Sequence, residues 1–329
     1  MKFNIKDVAK KAEVSISTVS RVINESKVVR PETQKKVIKA IEELGYKPNA
    51  IARSLKVKNT KTIGIMIPDI SNQFYPEVVR GVEDIANMYN YNIFLCNTDL
   101  DDEKEMQYFD ALAEKQVDGI IFMGNIVSEE LYSKIKFYNI PLVLIGADYE
   151  DLPSVTINNT EAAYTVVKYL IEKGHKRIGM ITGKKHDPVT GVTRLKGYKD
   201  ALKESGLLFD EELIIEGGYR FKSGYEAAKR LLELENKPTA IFVANDEMAL
   251  GVTRLALEMN IKVPEDLAII GFDNIDMSQK FYPALTTVAQ PMYEMGAIGM
   301  RVLTKILKDE PIDTNKVLLN YSLIERESS

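Results

Sequence analysis

The chain uses two hydrophobic rhythms in succession. Through the first 45 residues apolar side chains recur at helical spacing: Ile5, Val8, Ala9 and Ala12, then Val19, Val22 and Ile23, then Val37, Ile38, Ile41 and Leu44. Asn4 stands where a first helix needs a cap, and Asp7, three residues on, can reach back to it. Ser15 can cap a second helix, Pro31 can open a third, and Gly45 can close it. The pattern predicts three short helices around one small core, with a tight turn between the first two. From Lys61 onward the rhythm changes to short β-rich runs at 62–67, 92–96, 119–123 and 142–146, with helical stretches between them. That alternation reads as parallel strands with crossover helices, a doubly wound sheet. The second half repeats the plan, because 176–181 echoes 61–67 and 239–243 echoes 118–123. The expected fold is an all-α helix-turn-helix head and an α/β body of two doubly wound parallel-sheet lobes, with a cleft between the lobes.

Polar positions sharpen this picture. In the second helix the outer side carries Ser17, Thr18, Ser20, Arg21 and Asn24, groups suited to hydrogen bonds with bases and phosphates. Residues 1–60 hold 14 Lys and Arg against 6 Asp and Glu, a net of +8 in a chain whose total is −5, so the body carries −13. A basic head on an acidic body is what results when only the head meets polyphosphate, and it argues against a three-helix protein-interaction module. The segment 46–56 is too short to be a stable helix alone. Asn49 can cap it, Ala50 and Ala52 allow close helix approach, and Leu55 is apolar with no core of its own. Leu55 is either a minor-groove wedge or a linker residue packed on the next domain, and the local residues leave the two even.

At 329 residues the chain exceeds one small core. Length suggests a head of about 60 residues and a two-lobed body. No apolar run approaches the roughly 20 residues of a membrane span, and Met1-Lys2-Phe3 leads straight into the first helix with no export pattern, so a cytoplasmic location is expected. One cysteine, Cys96, and two histidines, His175 and His186, exclude a disulfide framework and argue against a zinc site. Cys96 reads as a small buried residue.

An enzyme on a Rossmann-like sheet is a weak alternative. Pro68-Asp69-Ile70-Ser71-Asn72 follows the first strand where a glycine-rich phosphate loop would stand, and Gly183-Lys184-Lys185-His186 lacks the lead and the Ser or Thr of a P-loop. Two histidines supply no Ser-His-Asp or metal set, and no cofactor is called for. A periplasmic sugar-binding protein would share the body but not the basic head. Ligands of open α/β sheets sit beyond the carboxyl ends of the strands, so 69–75, 183–194, 245–246 and 273–276 should border the cleft.

Several strings are specific: Asp7-Val8-Ala9, the run 14–24, Leu44-Gly45-Tyr46-Lys47-Pro48-Asn49, Ile67-Pro68-Asp69, Ala244-Asn245-Asp246-Glu247-Met248-Ala249 and Gly271-Phe272-Asp273-Asn274. On these the chain resembles, over essentially its whole length, the LacI/GalR family of transcription regulators, which join such a head to a body like that of periplasmic sugar-binding proteins. The resemblance implies a DNA-binding head at 1–47, a hinge helix and linker at 48–60, and a two-lobed effector-binding and dimerisation body at 61–329, with the first lobe at about 61–160 and 290–322 and the second at about 161–289. It implies that Ile16, Ser17 and Arg21 read bases, that Thr18, Asn24, Tyr46 and Asn49 contact phosphates, and that Leu55 intercalates, in a dimer on a pseudo-palindromic operator. It also implies an effector site for a small sugar or sugar phosphate, formed by Asp69, Phe74, Arg194, Tyr219, Asn245 and Asp273. From the residues themselves, Arg194 and Asp273 could instead be a structural ion pair across the cleft.

Within the family, segments 82–93, 116–123 and 290–297 resemble members that serve carbon catabolite control by binding the serine-phosphorylated phosphocarrier HPr as corepressor. That likeness implies a coregulator dock on Asp84, Tyr89, Tyr293, Glu294, Arg301 and Lys305. Arg301 and Lys305 lie one helical turn apart and could share a phosphate, although such a pair alone is usually solvated surface. Glu294 stands where those members usually have aspartate, and Arg194 and Asn245 are often absent from them. A repressor controlled by a cleft ligand without HPr is therefore the alternative.

Overall fold

The computed structural model describes residues 3–24, 29–46, 60–124 and 126–329, and divides the chain into a head, up to Thr60, and a body from Lys61 to Ser329. The predicted hinge, with Asn49 and Leu55, lies outside the described residues apart from its final position, Thr60.

The head consists of α1 (Ile5–Ala12), α2 (Ile16–Asn24) and α3 (Pro31–Leu44). Asn4 accepts the Lys6 N–H at 2.8 Å while Asp7 accepts the Asn4 N–H at 2.8 Å, so the reciprocal cap forms as its sequence suggests. Ser15 Oγ accepts the Thr18 N–H at 3.1 Å and starts α2, and Gly45, at φ +58°, ends α3 in the left-handed region. Val8, Ala9, Ala12, Val19, Val37 and Ala40 form the core, with Val22, Ile23, Ile41 and Leu44 packed at its margin. Ile38 departs from expectation: it is 43% exposed and Ala40 is buried instead. The stripe that faces inward on α3 is Val37, Ala40, Ile41 and Leu44, and Ile38 lies about 100° round the helix from Val37.

In the body, the first sheet has strands β1 (Thr62–Ile67), β2 (Asn92–Asn97), β3 (Gly119–Phe122), β4 (Leu142–Ile145), β5 (Ser154–Ile157) and β11 (Lys316–Leu319), in the order β11-β5-β4-β3-β1-β2, all parallel. The second has β6 (Ile178–Thr182), β7 (Ile214–Glu216), β8 (Ala240–Val243), β9 (Ala268–Asp273), β10 (Thr286–Ala289) and β12 (Ser322–Ile324), in the order β12-β10-β9-β8-β6-β7. Only β12 runs antiparallel, to β10. The echo between the halves is structural, since β6 and β8 pair in the second sheet as β1 and β3 do in the first. Strands β3, β4 and β8 are buried at every position, as strands covered on both faces must be. Cys96, on edge strand β2, is half-buried, not buried as expected, because no strand lies beyond β2.

Helices α4 (Phe74–Met88), α5 (Asp102–Glu114), α6 (Glu129–Tyr138) and α12 (Met292–Leu307) belong to the first lobe. Helices α7 (Asn159–Glu172), α8 (Arg194–Glu204), α9 (Phe221–Leu232) and α10 (Asp246–Glu258), with the short α11 (Asp276–Lys280), belong to the second. The chain thus passes between lobes after β5, after β10 and after β11. Helices α4 and α12 touch through glycines: a Cβ on Gly296 would lie 1.9 Å from the Val78 carbonyl oxygen, and one on Gly81 2.0 Å from that of Tyr293. No helix among the described residues is long and apolar enough to cross a membrane.

Candidate nucleic-acid interface and effector cleft

On the head, α2 begins with Ile16, 45% exposed, beside the exposed Ser17, and Arg21 is exposed one turn further along. Ser15 Oγ lies 2.7 Å from Ser17 Oγ and 2.8 Å from Thr18 Oγ1, so hydroxyls cluster at the start of the helix. An exposed isoleucine flanked by hydroxyls and an arginine offers apolar contact to a thymine methyl and hydrogen-bond donors for base edges. Asn24 ends α2, with its side chain outside the description, and Tyr46 is half-buried against the head core.

In the body, strand ends and helix starts converge on a small cavity of about 50 Å³ lined by Phe74, Tyr75, Arg194, Tyr219, Asn245 and Asp273, among others. Its polar groups are occupied by one another. Arg194 is buried at the start of α8, donates from Nε to Asn159 Oδ1 at 3.0 Å and from Nη1 to the Ala244 carbonyl, and lies 3.5 Å over the Phe272 ring. Burial works against its charge, while the carboxylates of Asp273 and Asp187 favour it. Tyr219 adopts φ +65°, and its hydroxyl donates to Asp187, accepts the Lys184 N–H at 3.2 Å and lies 3.1 Å from Thr190 Oγ1. Desolvation is the main cause that pushes its ionisation upward. Asn245 caps α10, accepting the Met248 N–H at 3.0 Å and donating to the Tyr219 carbonyl at 2.9 Å.

The ion pair proposed between Arg194 and Asp273 is not formed. Both residues belong to the second lobe, and Asp273 instead accepts from Gln290 Nε2 at 2.7 Å, with burial holding its carboxyl well above the usual range. Among the described residues, the charge pair that does join the lobes is Asp69 with Arg220, at 2.8 Å. Asp69 therefore faces Arg220 and is not among the cavity-lining residues.

Asp187 escaped the reading of the sequence. Fully buried, it accepts the Val189 and Thr190 N–H groups at 2.7 and 3.0 Å and the Thr190 hydroxyl at 2.6 Å, starting a single π-helical turn, Pro188–Thr193, that delivers Arg194. Asp followed by Pro is a helix-start signature that could have revealed it.

Asp246 supplies a pH test. It accepts the Thr287 hydroxyl at 2.6 Å and the Ile275 N–H at 2.9 Å, and burial pushes its pKa from 3.8 up to about 6. The folded chain holds this proton more tightly than the unfolded chain does. The group's stabilising contribution is therefore complete below about pH 4 and is lost as pH rises through about 6. Asp246→Asn is expected to flatten the stability profile across that window in urea titrations; an unchanged slope contradicts the assignment.

A second face lies on α4 and α12. Tyr293 donates to Asp84 at 2.7 Å across the two helices, and the Lys308 ammonium sits 4.4 Å from the centre of the exposed Tyr89 ring. Glu294 and Arg301 are exposed. Lys305 is turned to Asp313 at 3.3 Å and is not assembled with Arg301; the Asp313 side chain is 94% exposed, so this pair exchanges readily.

A helix-turn-helix head joined to two Rossmann-like lobes around a polar cleft defines a DNA-binding transcription regulator. Residues 4–49 match the family described as bacterial regulatory proteins, lacI family, and residues 167–329 match the periplasmic binding protein-like domain. The chain belongs to the lacI family of bacterial transcription regulators. It is 48% identical over 331 residues to catabolite control protein A of Priestia megaterium, covering 100% of both chains. Among solved structures it is similar to the regulator CcpA of Lactococcus lactis, at 39% identity and a TM-score of 0.78, covering 82% of this chain and 98% of that one. It is also similar to the transcriptional regulator CelR in complex with cellobiose, at 30% identity and a TM-score of 0.76, covering 100% of both chains.

Proposed function

We propose that the chain binds a pseudo-palindromic operator as a homodimer in the cytoplasm, in carbon catabolite control, with serine-phosphorylated HPr as its corepressor. The observation that carries this reading is the full-length likeness to catabolite control protein A. The α4–α12 face supports it: an exposed arginine, Arg301, lies about two turns along α12 from a tyrosine fixed by Asp84, an arrangement suited to a phosphoserine flanked by polar groups. DNA binding requires the two hinge segments of a dimer to fold side by side, which depends on the separation of the two first lobes. A partner that prefers the closed-lobe dimer strengthens operator binding. Titration of the purified chain on operator DNA with phosphorylated and unphosphorylated HPr tests the proposal: tighter binding is expected with the phosphorylated form only, and equal affinity rules it out.

The alternative is control by a small sugar or sugar phosphate in the cleft without HPr. Arg194 and Asn245 favour it, since both line the cavity and could exchange their present protein acceptors for ligand oxygens, and the similar regulator CelR is described with cellobiose. Under that reading a cleft ligand changes operator affinity and phosphorylated HPr does not.

A further inference from the structure

Asp69 follows β1 in the first lobe, and its side chain is 10% exposed. One carboxylate oxygen, Oδ1, is already occupied, accepting the Ser71 N–H at 3.0 Å and the Ser71 hydroxyl at 2.6 Å. The other, Oδ2, accepts from Arg220 Nε at 2.8 Å. Arg220 immediately precedes α9 in the second lobe and keeps 57% of its side chain exposed. A nearly buried carboxylate held rigid by its own turn is costly without a cation, whereas a half-exposed arginine can swing into water at little cost. The pair is therefore strong while closed and can be released without unfolding either lobe. Arg220 also lies close enough to Asp99, another first-lobe carboxylate, to favour its charged form. A second link runs parallel to it: the Met277 N–H of α11 donates to Gln73 Oε1, at the start of α4, at 3.0 Å. The cavity lined by Arg194, Tyr219 and Asn245 holds about 50 Å³, and all three side chains are hydrogen-bonded to the protein itself.

We infer that Arg220 and Asp69 form a latch that holds the two lobes closed. Its consequence for DNA rests on the reading above that lobe spacing sets operator affinity. The chain then reaches its closed form by its own side chains, and the strength of one ion pair sets how far it opens.

The experiment uses the full-length protein with Cys96→Ser and reporter cysteines at the exposed positions Phe137→Cys, in the first lobe, and Leu208→Cys, in the second. With labelled chain diluted in unlabelled chain, the distance between labels is read by pulsed electron spin resonance, with no sugar added. Arg220→Ala is expected to broaden and shift the distance distribution. Arg220→Glu, which sets two carboxylates against each other, should shift it further, and Arg220→Lys should largely restore the parent distribution. Operator affinity should fall by about threefold to tenfold in Arg220→Ala. The parent distance in Arg220→Glu overturns the latch. An opened Arg220→Glu chain that binds operator with parental affinity leaves the latch standing and overturns the link from lobe spacing to DNA.

Discussion

Gly296→Val is expected to destabilise the body by about 3 kcal/mol or more, a fall of roughly 6–12 °C in its unfolding midpoint. The cause is backbone contact. Any Cβ at this position would meet the Val78 carbonyl oxygen at 1.9 Å and the Val82 nitrogen at 2.9 Å, and neither can rotate aside as a flexible side chain would. Helices α4 and α12 must separate, and Gly81, whose own missing Cβ faces Tyr293, marks the same crossing from the other side. Separation also strains the 2.7 Å bond between Tyr293 and Asp84, so the variant should lose response to a coregulator even at temperatures where it remains folded. Scanning calorimetry checks the first effect; an unchanged midpoint contradicts the close crossing.

Arg301→Ala is expected to remove the enhancement of operator binding by serine-phosphorylated HPr, a loss of about 10- to 100-fold in coregulator affinity. Arg301 is exposed and makes no hydrogen bond or ion pair with another described residue, so its guanidinium is available to a phosphate. Lys305, held by the weak surface pair with Asp313, should contribute less, and Lys305→Ala should cost only a few-fold. Calorimetric titration of HPr against each variant separates the two. Equal losses mean that the lysine leaves Asp313 and shares the phosphate; no loss in Arg301→Ala moves the dock elsewhere.

Much of the fold was legible because its determinants are local. Asn4 with Asp7, Ser15 and Gly45 act within a few residues of themselves, and each does in the structure what its position suggests. The alternation of branched strands with helices likewise marks both sheets, since burial on both faces demands continuous apolar runs. What stayed hidden depends on partners distant in sequence. Ile38 satisfies the helical spacing as well as Ala40 does, and only the arrangement of three helices decides which is buried. Asp69 stands at the cleft, as its place after β1 implies, but its partner Arg220 lies 151 residues away in sequence and no local pattern connects them. Arg194 and Asp273 are a base and an acid that the sequence invites one to pair, yet each is satisfied separately, by Asn159 and Ala244 in one case and by Gln290 in the other. The glycine crossing of α4 and α12 joins positions 81 and 296, which no local pattern connects.

The central claim is that the basic head, paired with a second copy, reads an inverted repeat under the control of the body. Selection of the full-length chain on random duplex DNA, with and without serine-phosphorylated HPr, tests it most directly. Enrichment of an inverted repeat whose half-sites lie about one helical turn apart is expected, and stronger enrichment when the phosphoprotein is present. No preference for any inverted repeat over scrambled competitor, in either condition, would contradict it.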